Sequence, residues 1–146
     1  MKIGIGADHR GYKLKEKIIN YLRRSGCEVF DYGAFSPERV DFPDIGFRVA
    51  EDVVQRRLRF GILLCFSGEG MVMTANKVKG IRAALCLKPE FARLARAHNN
   101  ANVLVIPAGF VKFGQELKRI IDVFLQTRFE GGRHRRRINK IRRYEQ

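Results

Sequence analysis

Two rhythms of apolar residues alternate along the chain. Lys2–Ala7, Phe60–Cys65, Ile81–Cys86 and Val103–Ile106 are short, largely apolar runs and read as strands, as does the more mixed Glu28–Tyr32. Between them, apolar positions recur three and four apart, the period of a helix with one buried face. Tyr12–Arg24 carries Leu14, Ile18, Ile19 and Leu22, and Gly26 stops it. Ile45–Arg56 carries Phe47, Ala50 and Val54, and Pro89–Asn99 carries Phe91, Leu94 and Ala95. Gln115–Thr127 is the most regular, built on Leu117, Ile120, Ile121, Phe124 and Leu125. Met71–Lys77 reads as a short helix, Gly33–Pro43 as a polar loop, and Arg133–Arg143 as one more helix at the end.

Strands alternating with helices predict βαβ units. Strands without a polar face predict a parallel sheet covered on both sides. The expected architecture is a single α/β domain over residues 1–146. It is Rossmann-like and three-layered, with about five parallel strands, helices on both faces and a basic C-terminal helical tail over about 128–146. In such sheets ligands bind beyond the carboxyl ends of the strands, near the point where the strand order reverses. That rule selects Asp8 and His9, Cys65–Gly70, and Pro107–Phe110.

Composition narrows the picture. A chain of 146 residues with 45% hydrophobic content suits one globular core. No apolar run approaches the roughly 20 residues of a membrane span, and the strand-like MKIGIGA start carries no secretory signature. Cys27, Cys65 and Cys86 are far apart and form no CxxC pair, which disfavours a zinc cluster or disulfides and fits a reducing cytoplasm. The net charge is +14, and the last nineteen residues hold eight Lys/Arg against two Glu. Such a field favours phosphorylated metabolites, nucleic acid or acidic surfaces, although a solvated charged face has the same composition. No nucleic-acid motif or series of stacking aromatics accompanies it, so a nucleic-acid partner is not favoured.

Several stretches carry chemistry. In GIGADHRG the first two glycines match a dinucleotide fingerprint, but His9 stands where the third belongs. Asp8 and His9 at a strand end can orient a proton or bind an anion, and Asp8 can equally cap the following helix. Ser67-Gly68-Glu69-Gly70 opens a helix, so its backbone N–H groups can converge on an oxyanion or phosphate. A cysteine beside such a cradle can act as base or nucleophile, yet free cysteines are more often plain core residues. Cys27 and Cys86 read as core. His98 ends a helix in AHNNAN; four residues after Leu94 it can be a satisfied core histidine, while polar Asn99 and Asn100 beside it argue for a cleft rim. Arg133 and Arg137 lie four apart, a spacing that presents two guanidiniums on one helical face, suited to a phosphate monoester or a nucleic-acid backbone.

Taken together, DHRGYKLKE, VDFPD, GILLC-x-SG-x-GM, ANKVKGIRAALC, ARLARAHNNANVL and FEGGRHRRRI resemble the bacterial ribose-5-phosphate isomerase B family, grouped with the lactose-pathway galactose-6-phosphate isomerase subunits. The likeness covers nearly the whole chain. It implies interconversion of ribose 5-phosphate and ribulose 5-phosphate through a cis-enediolate, with neither metal nor organic cofactor. It implies Cys65 as the proton-transfer base; the glutamate used by another branch falls at Met71 here. His98 becomes the ring-opening acid/base, helped by Asp8, and Phe66, Ser67, Gly68, Glu69, Gly70 and Asn99 bind the sugar. His9, Arg133 and Arg137 hold the phosphate. Tail arginines reaching a partner subunit imply a homodimer, or a tetramer built from dimers. Three features depart from the family: Phe66 replaces a loop glycine, Glu69 adds a negative charge, and no arginine follows the fifth strand, where Lys112 is the nearest cation. These leave a hexose 6-phosphate as an alternative substrate. An anion- or nucleic-acid-binding derivative is the alternative outside enzymology.

Overall fold

The computed structural model describes all 146 residues. Strands β1 (Lys2–Ala7), β2 (Glu28–Asp31), β3 (Phe60–Cys65), β4 (Ala83–Leu85) and β5 (Val103–Pro107) form one parallel sheet in the order β2-β1-β3-β5-β4. The helices are α1 (Tyr12–Arg24), α2 (Phe42–Val54), α3 (Glu69–Asn76), α4 (Pro89–Ala97), α5 (Gln115–Gln126) and α6 (Arg133–Tyr144). This is the α/β architecture the pattern predicts, basic terminal helix included. No helix is long and apolar enough to cross a membrane.

Period-two alternation divides the central strands β3 and β5 between two apolar layers. Ile3, Ile5, Phe60, Ile62, Leu64, Leu104 and Ile106 meet α1, α4 and α5 on one side. Leu63, Cys65, Val103 and Val105 meet α2 and α3 on the other. The two glycines of GIGADHRG serve this packing. A side chain on Gly4 would strike Leu58, and one on Gly6 would strike Ile45, so both let α2 and its following loop lie close on β1.

Two helix faces differ from the periodic reading. Phe47 is 38% exposed because α2 buries Ile45, Gly46, Val49, Ala50 and Val53 instead. Gly46 faces Thr74 and Met71 of α3 at a distance no larger residue would allow, and this turns Phe47 outward. Phe91 is 51% exposed, since α4 buries Ala92, Ala95, Arg96 and Ala97. Cys86 is fully buried as expected, and burial pushes its thiol up to about 12. Cys27 is half-buried and packs against the α1 side.

The order of the strands reverses between β1 and β3. Their carboxyl ends flank the crevice where parallel α/β sheets take ligands.

Candidate active site

The crevice brings Asp8 beside the end of β3. Ala7 pairs with Leu64 across the sheet, and the Asp8 N–H donates to the Leu64 carbonyl at 3.2 Å. The buried Asp8 carboxylate accepts from the backbone N–H groups of Arg10 (2.9 Å) and Gly11 (3.0 Å), which fixes the turn into α1. Asp8 thus closes the turn ahead of the helix and does not cap the helix itself, whose N-cap is Gly11. His9 is half-buried, and its Nδ1 accepts from the Val40 N–H at 3.4 Å. Nε2 is then the nitrogen left to meet a ligand.

Cys65 ends β3, almost completely buried. Its carbonyl accepts from the Ala108 N–H at 2.8 Å, and that of Phe66 accepts from the Gly109 N–H at 2.9 Å, tying the loop after β3 to the loop after β5. Ser67 Oγ accepts from the Glu69 N–H at 3.2 Å. Gly68 turns the chain into α3 with φ of 82°, the left-handed region that favours glycine. The first turn of α3 then presents N–H groups that helix geometry leaves unpaired, at the positive end of the helix dipole.

The unusual loop residues find room. Phe66 has no positive φ, so replacing glycine there stores no backbone strain. Its ring packs on Phe110, with centroids 5.5 Å apart, and lies 4.0 Å from the Arg10 guanidinium. Glu69 is exposed at the start of α3, where a carboxylate is favoured by the dipole, and it pairs with no arginine. Lys112 is exposed in the loop after β5, at the same end of the sheet.

The remaining predicted residues lie elsewhere. His98 caps the C-terminus of α4, and the chain then returns to the start of β5. The Gly61 N–H donates to the Asn102 carbonyl at 3.1 Å, which puts this turn at the amino end of β3. Cys65 is four residues further along that strand, about 13 Å away at the usual rise. His98, exposed Asn99, and exposed Arg133 and Arg137 on α6 therefore share the amino end. Asp8 and His98 do not meet within one chain.

The amino-end group has its own architecture. The His98 and His134 rings stack with centroids 4.2 Å apart and planes within 9°. Both direct Nε2 toward Glu130 Oε1, at 3.8 Å and 3.6 Å. Burial, then the neighbouring charges of His98 and Arg133, hold His134 below its ordinary value. Arg96 locks the segment. Its buried guanidinium donates to the Thr127 carbonyl (3.2 Å), to Asn100 Oδ1 (3.0 Å) and to the Ala101 carbonyl (2.5 Å). Burial, with Arg59 and Arg82 nearby, lowers it to about 10.

Sequence reasoning missed Arg96, Glu130, His134 and Lys15. Arg96 was signalled by a cation adjoining the alanine face of α4, and His134 by standing four residues after Glu130. Lys15 gave no such signal. It is wholly buried, and its Nζ lies 2.8 Å from both oxygens of Asp31 and from Glu16 Oε1. Asp31, placed where a ribose-binding acid often stands, is thereby engaged inside the protein.

A cavity of about 720 Å³ at the amino end absorbs much of the positive charge. Lys and Arg supply eight of its 17 lining residues, and no carboxylate lines it.

Known proteins share this sequence and fold over nearly the whole chain. The model of the Ribose/Galactose Isomerase family matches residues 3–141. Ribose-5-phosphate isomerase B of Escherichia coli is 43% identical over 99% of this chain and 97% of its own. The ribose 5-phosphate isomerase of Thermotoga maritima superposes with a TM-score of 0.94 at 51% identity, covering 97% of each chain. That of Mycoplasma genitalium, solved with bound ribulose-5-phosphate, gives 0.93 at 45% identity over 99% of this chain and 95% of that one. With sequence and backbone in agreement from end to end, the chain belongs to the Ribose/Galactose Isomerase family.

Proposed function

We propose that the chain interconverts ribose 5-phosphate and ribulose 5-phosphate at a site completed by a second copy of itself. The choice of sugar is carried by the Mycoplasma genitalium relative, which holds ribulose-5-phosphate. The need for a second copy is supported by the distance between Cys65 and His98 along the sheet. One proton-transfer chemistry requires both residues at a single sugar, and one chain holds them at opposite ends. Exposed Phe35, Phe66 and Phe110, which follow strand ends on the Cys65 side, offer apolar surface for such an association.

One chain contributes Asp8, His9, Cys65 and the loop Phe66–Gly70. Its partner contributes His98, Asn99, Arg133 and Arg137 through the C-terminal segment. His98 moves the proton from the anomeric hydroxyl to the ring oxygen, opening the sugar. The Cys65 thiolate then takes the proton from C2, and negative charge develops on O1 as the cis-enediolate forms. N–H groups at the start of α3, with the Ser67 hydroxyl, stabilise that oxyanion. The proton returns to C1, and the hydroxyl proton passes from O2 to O1, which completes the ketose. His9 Nε2 and the two arginines hold the phosphate, whose binding energy organises the reacting end.

Cys65→Ala tests the mechanism. Turnover of ribose 5-phosphate should fall by a factor on the order of 10²–10⁴, the usual contribution of a positioned acid or base, with the far-ultraviolet circular dichroism unchanged. Full activity in that variant would overturn the assignment. A panel of hexose 6-phosphates under the same ketose assay tests the sugar; faster turnover of a hexose would overturn that part.

A further inference from the structure

We propose that His98, Glu130 and His134 form a binding site for one divalent transition-metal ion, with Zn²⁺ the expected occupant, and that the bound ion switches off proton transfer by His98. The binding stands on the geometry of a single chain; the inhibition rests on the catalytic role given to His98 above.

One ligand atom from each of the three residues lies within 4.8 Å of the others. Three donors around a tetrahedral zinc, at about 2.0–2.1 Å from it, are separated by roughly 3.4 Å. The two Nε2–Oε1 separations, 3.8 Å and 3.6 Å, are already close to that value. Two partly exposed ligands, Glu130 at 53% and His98 at 35%, have freedom to close the remaining gap. His134, only 10% exposed, is the fixed member. Both Nε2 atoms already face the same carboxylate oxygen, so a rotation of the partly exposed His98 ring out of the stack completes the set.

The backbone supports the cluster. The Glu130 N–H donates to the Ala97 carbonyl at 2.9 Å, holding the tail against the residue before His98. Two imidazoles and one carboxylate form a donor set for borderline transition ions and a poor one for Mg²⁺ or Ca²⁺. Binding needs the imidazoles deprotonated at the ligating nitrogen, so uptake of the ion releases protons and weakens as pH falls. Three protein ligands leave a fourth position for water. An ion seated there takes the His98 nitrogen out of proton transfer and is reversible by chelation.

Calorimetric titration of the full chain with Zn²⁺ should give one ion per chain. Glu130→Gln and His134→Gln should each weaken binding by roughly tenfold or more, a typical loss for altered metal surroundings, while Cys65→Ser should bind as tightly as the parent. Co²⁺ should produce visible d–d bands without a thiolate charge-transfer band. Glu130 is a half-exposed surface residue, so its variant keeps the test clear of folding losses. No stoichiometric binding, a thiolate band, or unweakened binding by Glu130→Gln would overturn the site. Saturating Zn²⁺ should lower isomerase turnover at least tenfold and a chelator should restore it; undiminished turnover of the loaded protein would overturn the switch. Zinc uptake by a chain with no isomerase activity beforehand would support the site while overturning the catalytic reading, so the two failures are distinguishable.

Discussion

Mixing two inactive variants tests the two-chain site most directly. Cys65→Ala removes the proposed base at the carboxyl end of β3, and His98→Ala removes the proposed acid/base at the amino end. The positions lie at opposite ends of β3, whose stretch from Gly61 to Cys65 spans about 13 Å, so neither change touches the other half of the site. Each homogeneous variant should lose turnover by a factor on the order of 10²–10⁴. In a mixed assembly, a site that takes Cys65 from the His98→Ala chain and His98 from the Cys65→Ala chain is intact. With equal amounts and random association, roughly a quarter of sites receive both, because the symmetric interface pairs one surface of each chain with the other of its partner. Co-expressing the variants under two affinity tags and assaying the doubly tagged species raises that fraction to roughly half, since one of its two sites is intact. The readout is ribulose 5-phosphate formation per chain at saturating substrate. A doubly tagged species that associates yet stays as inactive as its parents would refute the reasoning. So would a His98→Ala protein with full activity.

Lys15→Met should destabilise the fold by about 3 kcal/mol, because Asp31 would keep its charge in a largely enclosed position without its partner. Urea unfolding should show a lower midpoint at unchanged slope, and adding Asp31→Asn should recover most of the loss. Tyr21 and Tyr32 are raised from 10.0 to about 12, by burial first and then by hydrogen bonds to Asp122 and Asp52. Folded-state values above the unfolded ones stabilise fully below pH 10 and progressively less as pH climbs toward 12. Tyrosinate absorbance should therefore show two late-titrating tyrosines, and Asp52→Asn should bring one forward; four tyrosines titrating together would contradict the environment described. Gly68→Ala should cost about 1–3 kcal/mol for its left-handed backbone, with further loss from contact with Leu85, and thermal melts would register it.

The layers of this fold are legible in the chain because burial imposes period two on strands and 3.6 on helices. α5 shows this best: Leu117, Ile120, Ile121 and Phe124 are buried as its pattern predicts, with Leu125 half-buried at the margin. Where one small residue redirects a helix face, periodicity misleads, as Gly46 does by drawing α2 onto α3 and leaving Phe47 outside. Lys15 was illegible for a different reason. A lysine in an amphipathic helix ordinarily reaches solvent, and its burial depends on Asp31, sixteen residues away and visible only once β2 lies beside α1. The candidate site was half legible. The strand-end rule finds Asp8, His9 and Cys65, and the same topology carries a second instruction. Residues that follow strands lie at one edge of a parallel sheet, and residues that follow helices return to the other. His98 follows α4, and Arg133 comes after α5. A chain that needs Cys65 and His98 at the same sugar must therefore meet another chain. Dilution that dissociates the copies should extinguish turnover while leaving each folded sheet intact.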